Sequence, residues 1–391
     1  MKFSNLILAS TLIIGAEYVL LKKQKNQIKE DQHLLRTVTN YKQHCINSCS
    51  GVKGECVFNE IPNFHIIENA TVDVMHDIFE GICRYEIAQL LHIFICKEKL
   101  FSLDILNSRL QHIDCGRNFS KNVPIAISSN VLKTQHLIIS ASEMVFLVQH
   151  LGVLIGDLVS VNHNAWEVFL TLHDIICILM NSTFTSATIE LLETLITEHH
   201  SLYLRVFNEM LKPKHHFLLH YPRVIKQLGP VKHLSSMRFE AKHKVFKNNA
   251  KVIMSRTNSP YTLALKHQLS LCHKFLSEKG FSKRLSWGPT LKISINNIAD
   301  YYNFKHVIPV GIQIKYILDT WVQFNGIIYY KDAAIPICLS DNIVFGKICY
   351  FIIDKTDQIF FVYGELFTKG ANKHYCAYEV INTKVWKVIK F

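Results

Sequence analysis

From Arg84 to about Lys212 apolar residues recur at three-and-four spacing, in "RYEIAQLLHIFICKEKLF", "AWEVFLTLHDIICILM" and "TIELLETLITEHHSLYLRVFNEMLK". That period belongs to amphipathic helices, and it predicts an all-α block of about 120 residues. Glycine and proline are scarce inside it, so its helices should be long and closely packed. Beyond about residue 282 the pattern changes to β-branched and aromatic runs, "IPVGIQIKYILDTWVQFNGIIYYKD", "IVFGKICYFIIDKTDQIFFVYGELFT" and "YCAYEVINTKVWKVIKF". Turn signals at Asn325-Gly326, Asp354 to Asp357 and Lys369 to Asn372 break them. Short strands at that spacing predict a small barrel or sandwich of about 80 residues, over 309–391. The stretch "SEKGFSKRLSWGPTLK" leads into a linker placed at 282–308.

Between the two blocks lies a segment of different character, residues 212–256. It holds eleven Lys or Arg, five His and a single acid, Glu240, a net charge of +10 against +12 for the whole chain. The Gly229-Pro230 pair should stop one helix, and Ser235-Ser236 can cap another from Met237 to about Ile253. Within that helix Glu240, Lys244, Lys247 and Lys251 share a face. Glu240 then either pairs with Lys244 in the first turn or stands as a lone carboxylate in a cationic groove. Lys212, Lys214, Arg238, Lys242, Lys244, Lys247 and Lys251 are the candidate contacts for a phosphate backbone.

Near the start of the helical block, "VDVMHDIFEGI" at 72–82 sets Asp73, His76, Asp77 and Glu80 at i, i+3, i+4 and i+7, while Val74, Ile78 and Ile82 point elsewhere. On an α-helix the four polar residues share one side, a geometry that permits chelation and equally permits solvation.

Composition bounds the partners. A chain of 391 residues with 49% apolar and 11% aromatic content can bury a large core in two or three domains, and its pI near 9.1 suits a polyanion. Eleven cysteines at irregular spacing, without a CxxC pair, do not form a disulfide framework and indicate a reducing compartment. Cys45, Cys49 and Cys56, with His44 or His65, match no standard zinc spacing and read as unliganded. His216 and His220 at i and i+4 lack an acid or thiolate partner, and read as packing and capping groups. The adjacent His199-His200 diverge by about 100° on a helix and read as solvated.

The opening "MKFSNLILASTLIIGAEYVLLKK" has the outline of a signal peptide, but Glu17 interrupts it and it is short for a bilayer span. Residues 1–22 read as an apolar N-terminal helix, followed by a polar linker over 23–60. Secretion or anchoring is the alternative, in which Asn69, Asn118 and Asn181 would be glycosylation acceptors.

Two stretches, "DVMHDIFEGI" at 73–82 and "KPKHHFLLHYPRVIKQLGPVKHLSSMRFEAKHKVFK" at 212–247, resemble transposases of CACTA (En/Spm) elements, in their animal branch. The later "IVFGKI" and "HYCAYEV" fit that pattern, so the resemblance covers roughly residues 60–391. It implies a ribonuclease-H-like core in which three carboxylates bind two Mg²⁺ ions for phosphodiester attack. It also implies an all-helical insertion, here about 85–211, inside a core spanning 61–281. Glu240 in "MRFEAKH" is then the candidate last carboxylate, and Asp73 with His76 forms the Asp-x-x-His pattern found near the second. The metal-ligand set is Asp73, His76, Asp77 and Glu240, with Asp73 and Asp77 left as alternatives for the second carboxylate.

One departure limits the resemblance. The first catalytic Asp should end an opening strand, and residues 1–60 show no strand-like run ending in Asp. The expectation is an α+β chain with a partial ribonuclease-H-like core and a C-terminal β domain. Functionally it reads as a truncated or domesticated, nuclear, DNA-binding protein that does not cut. Mg²⁺ is its cofactor only if cutting is retained. Its partners are DNA and a second copy of the chain, without a membrane. The competing reading is a non-catalytic interaction scaffold, tethered to a membrane by its apolar N-terminus.

Overall fold

Why the chain folds as two kinds of structure follows from where its apolar period changes. The computed structural model describes residues 26–31, 33, 35–116, 122–254, 257–277, 285–288, 301–325, 327–338 and 343–390. The apolar segment 1–22, the Asn118 triplet and most of the 282–308 linker lie outside the described residues. The protein is α+β, helical through most of its length with two antiparallel sheets at the C-terminal end. It divides into two compact units, residues 1–112 with 124–242 and residues 113–123 with 243–391.

In the first unit, helix α1 (Val38–Asn47) opens with Thr37 accepting from the Asn40 N–H, and Asn40 returns the bond to the Thr37 N–H. Its Tyr41 packs with Val52 and Ile66 in a small satellite core that also holds Cys45 and Cys56. Helix α2 follows as one continuous rod, π-helical over Met75–Ile82, α-helical over Cys83–Leu91 and π-helical again over His92–Lys97. Val74, Ile78 and Ile82 are buried, as their spacing predicts.

Helices α3 (Leu103–His112), α4 (Asn130–Thr134), α5 (Ala141–Ile155), α6 (Asn164–Leu179) and α7 (Ser186–Phe207) then realise the helical block. Ser140 and Glu143 form a capping box at the start of α5, and Thr185 caps α7 by accepting from the Thr188 N–H. The span Ala141–Leu158 is long and apolar enough to cross a membrane, but Met144, Phe146, Leu147, Leu151 and Ile155 within it are buried in the protein interior.

The expected solvation of His199-His200 is wrong. Both rings are fully buried, because the C-terminal part of α7 is enclosed on two sides. His199 meets Glu86 of α2, and both rings face His215 of helix α8 (Pro213–Leu218), at centroid distances of 6.1 and 5.5 Å. A 100° divergence exposes one of two neighbours only when a single side of the helix is covered.

Helix α9 (Tyr221–Leu228) ends at Gly229, whose φ of 83° is a left-handed backbone that glycine adopts without strain. Helix α10 (Met237–Val252) begins next and runs across the boundary between the units. Among the described residues, no strand lies in the first unit.

The second unit contains the rest of α10, helix α11 (Ser259–Leu276) and the sheets. Strands β1 (Leu285–Trp287), β3 (Trp321–Phe324) and β4 (Ile327–Tyr330) form a small sheet in the order β1-β3-β4. Strands β2 (Ile314–Leu318), β6 (Val344–Asp354), β7 (Ile359–Asn372) and β8 (Ala377–Lys390) form the larger one in that order, with β5 (Ala334–Cys338) paired to β6.

Alternation along β7 sends Ile359 and Phe361 to one face and Phe360 and Val362 to the other. On the first face they join Leu318 and Phe351, against which Val322, Trp287, Phe324 and Tyr329 of the small sheet pack. On the second they pack under Phe304 of the short helix α12 (Tyr301–Phe304). A register shift between Ile348 and Tyr350 returns Ile348 to the same face as Phe351. The expected C-terminal β domain is therefore a three-layer packing centred on β6 and β7.

Candidate functional site

Asp73 sits just before the first turn of α2 and uses its carboxylate to tie that turn down. Oδ1 accepts from the Met75 N–H at 3.0 Å and from the Ser236 N–H at 3.1 Å, which brings the start of α10 alongside. Oδ2 lies 2.5 Å from His76 Nδ1. Across the same ring, Nε2 is 3.3 Å from Oε1 of Glu240, and Ser236 Oγ is 3.1 Å from Nδ1.

Two stretches 160 residues apart, both singled out from sequence, thus meet at one imidazole. Burial pushes the Asp73 carboxyl up, but hydrogen bonds from His76 and Ser236 outweigh it and hold the group below the usual carboxylate range. The bond to Asp73, with the charges of Asp73, Glu240 and Glu80, raises His76. The pair is half-exposed, so its ionic strength is moderated by water.

Asp77 is placed elsewhere. Its side chain is buried and turned inward, where Oδ1 accepts from Lys214 Nζ at 2.8 Å. Oδ2 accepts from the Asp73 N–H at 3.1 Å and from Tyr221 Oη at 3.3 Å. Glu80 pairs with Arg84 at 3.1 Å, one turn on. The four polar residues read as one face therefore split three ways.

The Mg²⁺ pair that the resemblance implies needs carboxylate oxygens converging on a shared point, at about 2.0–2.1 Å from each ion. Here an imidazole stands between Asp73 and Glu240 and meets them on opposite edges, while Asp77 is held by Lys214. Among the described residues, no group of three His, Cys, Asp or Glu side chains is arranged to hold a metal ion. The donor set does not fit a metal pair. Ser236 is not a primed nucleophile either, because Asp73 already occupies the nitrogen it approaches.

Of the candidate phosphate contacts, Lys212 pairs with Glu209 at 3.1 Å on the surface and Lys214 with the buried Asp77, so both already have an acid partner. Arg223 and His220 are likewise drawn to Glu30, and Lys226 to Glu193. The charge left over is concentrated on α10. Arg238, Lys242, Lys244, Lys247 and Lys251 lie on a helix with no buried residue, and none of them is ion-paired among the described residues. Glu240 answers His76 rather than Lys244.

Sequence reasoning missed a fully buried polar cluster in the first unit. Glu86 of α2 is wholly enclosed, with Oε2 at 3.0 Å from His199 Nε2 and Oε1 at 2.8 Å from His215 Nε2. Burial would push its carboxyl up, but the charge of His199 and the two imidazole hydrogen bonds hold it at about 2. Burial lowers His200 and His215, and lowers His216 to about 4. The signal was present as one acid inside the apolar run "EIAQLLHIF" and four histidines on two later helices, but nothing in the sequence says that they meet.

Compared with protein-family models, with curated proteins and with solved structures, the chain matches none of them.

Proposed function

We propose that the protein is a transposon-derived, nuclear nucleic-acid-binding protein that keeps part of a DDE-transposase-like core without a functioning metal site. On this reading it grips duplex DNA through α10 and does not cut it. The helices carrying Asp73, His76 and Glu240 are what remains of a ribonuclease-H-like core, and the block over α3 to α7 corresponds to its insertion. The observation that carries the binding half is the set of exposed lysines on α10 that have no acid partner among the described residues, in a segment where Lys212, Lys214, Arg223 and Lys226 are each paired with an acid. The observation that supports the non-cutting half is His76, which separates the two carboxylates that would otherwise share a cation.

Each phosphate neutralised releases condensed counterion, so log affinity should fall against log salt with a slope of about −0.9 per contact. Binding is expected to be largely sequence-independent and of the order of micromolar or weaker near physiological salt. Fluorescence anisotropy on a labelled duplex across a salt series measures this. Changing Lys244, Lys247 and Lys251 together to Gln should flatten the slope by about two to three units and leave stability nearly unchanged, since exposed lysines contribute little. A parent protein that binds no DNA at low salt, or a triple variant with the parent slope, would refute the reading.

A further inference from the structure

Residues 26–31 lie against α8 and α9 as a strap. At one end the Leu211 N–H, just ahead of α8, donates to Asn26 Oδ1 at 3.3 Å. At the other, Glu30 Oε1 is 2.5 Å from His220 Nδ1 and accepts from Arg223 Nε at 3.1 Å, at the start of α9. The seat of that carboxylate is enclosed, with the Glu30 side chain 12% exposed and that of His220 11%. The strap as a whole is not, since none of residues 26–31 is fully buried. A segment anchored by polar contacts that buries little apolar surface opens at low cost.

The seat can take more than the carboxylate it holds. His220 and Arg223 converge on a single oxygen of Glu30. Beside them the His216 ring meets that of His220 edge to face at 4.9 Å, close enough to feel the charge of Glu30. Its buried Nδ1 has no hydrogen-bond partner, and a neutral imidazole can donate from that atom. A phosphodiester carries two charged oxygens and two ester oxygens on one centre, so it can meet the three side chains with separate atoms, and a guanidinium suits it well. We propose that Glu30 is a built-in competitor: the strap occupies a phosphate seat made by His216, His220 and Arg223, and a nucleic-acid backbone that displaces it gains that seat. The proposal rests on the DNA-binding reading above and adds a gate to it, because Arg223 and His220 become contacts only once the strap leaves.

Anisotropy on a labelled duplex across a salt series compares the full-length parent with Glu30→Gln and with Glu60→Gln, an exposed acid whose loss changes net charge equally away from the seat. Glu30→Gln should bind more tightly and steepen the salt slope by about one unit beyond the Glu60→Gln change. Adding Arg223→Gln to Glu30→Gln should return the slope to the parent value. In the parent, hydrogen exchange over residues 26–31 should quicken when saturating duplex is added, a readout that stands even if Glu30→Gln does not fold. A slope no steeper in Glu30→Gln than in Glu60→Gln, a gain that survives Arg223→Gln, or exchange that duplex leaves unchanged or slows would overturn the proposal. Quickening by inorganic phosphate alone, at the same phosphate concentration, would make the occupant a free phosphate and overturn the nucleic-acid assignment. If neither the parent nor Glu30→Gln binds duplex at low salt, the DNA-binding reading falls and the strap proposal with it. A parent that binds through the α10 lysines, with its slope unmoved by Glu30→Gln, refutes the strap alone.

Discussion

Replacing Glu86 by Gln tests whether a buried carboxylate pins three helices of the first unit together. The Lys212 N–H donates to His215 Nδ1 at 3.0 Å, so the His215 proton sits on Nε2 and points at Glu86 Oε1. His199 Nε2 lies 3.0 Å from the other oxygen. A glutamine offers one oxygen and one NH₂ group, so one imidazole N–H would face another donor in a site closed to water. Leaving one buried donor unsatisfied costs about 1–3 kcal/mol, a sizeable part of the roughly 5–15 kcal/mol that holds a domain folded.

Urea unfolding followed at the helical CD band should show a lower midpoint with an unchanged slope. The same cluster sets an acid limit. Glu86 at about 2 lies below its ordinary 4.5, so the unfolded chain takes up this proton first, and the stability it confers is complete above pH 4.5 and lost on the way down to 2. His200 is held well below 6.5 by burial and by the charges of His215, His199 and His216, so it too disfavours the folded state as pH drops below 6.5. The parent midpoint should therefore decline from about pH 6.5 downward, and Glu86→Gln should make the decline below 4.5 shallower, leaving the share that comes from His200, His216 and the other lowered carboxylates. A loss under about 1 kcal/mol at pH 7, or an unchanged acid limb, would show that Glu86 is not the pin.

Three further outcomes are expected. Purified protein with Mg²⁺ or Mn²⁺ should neither nick nor join a supercoiled plasmid on gels, and cleavage that disappears in Glu240→Gln would contradict this. Asp77→Ala should cost about 1–3 kcal/mol by stranding the Lys214 ammonium and the Tyr221 hydroxyl, and Lys214→Met should recover part of that loss in a double-mutant cycle measured by thermal unfolding. In the second unit, a methyl at Gly346 would stand 2.4 Å from Cδ2 of Tyr363, so Gly346→Ala should destabilise the β domain by about 1–3 kcal/mol, read from the fluorescence of Trp287, Trp321 and Trp386 on heating. No change there would mean that the ring can leave the glycine freely.

Local periodicity was enough to place the helical block and the C-terminal strands, because each depends on neighbours a few residues away. Gly229 ending one helix and α10 beginning at Met237 were legible for the same reason. The Glu86 cluster was not, since its members lie more than 110 residues apart and each taken alone resembles a solvated side chain. The charge of the basic segment was legible as a sum but not in its distribution. Lys212, Lys214 and Arg223 are neutralised by Glu209, Asp77 and Glu30, and two of those three acids lie far away in sequence.

The division of the "DVMHDIFEGI" residues is set by the groups that meet each of them, in a helix that is also wider than an α-helical wheel assumes. A residue four positions on returns to nearly the same side only where each turn closes on the fourth residue. In Met75–Ile82 the turns are wider, and the Cys83 N–H reaches back five residues to the Ile78 carbonyl. Asp73 lies before the helix, with its carboxylate bonded to the backbone of Met75 and Ser236. The Asp77 N–H nevertheless closes on the Asp73 carbonyl at 2.8 Å, four residues back, and it is Lys214 and Tyr221 that hold the Asp77 carboxylate in the interior. Gly81 makes room for its partner, because a methyl there would come within 3.0 Å of the Lys214 side chain and 2.9 Å of the His76 carbonyl. His76 faces Glu240 with one carboxylate on each edge of its ring, and Lys214 takes Asp77 out of reach. The separation of the three acids is therefore decided by Ser236, Glu240 and Lys214, residues more than 130 positions away, without any change in the residues that the sequence presents.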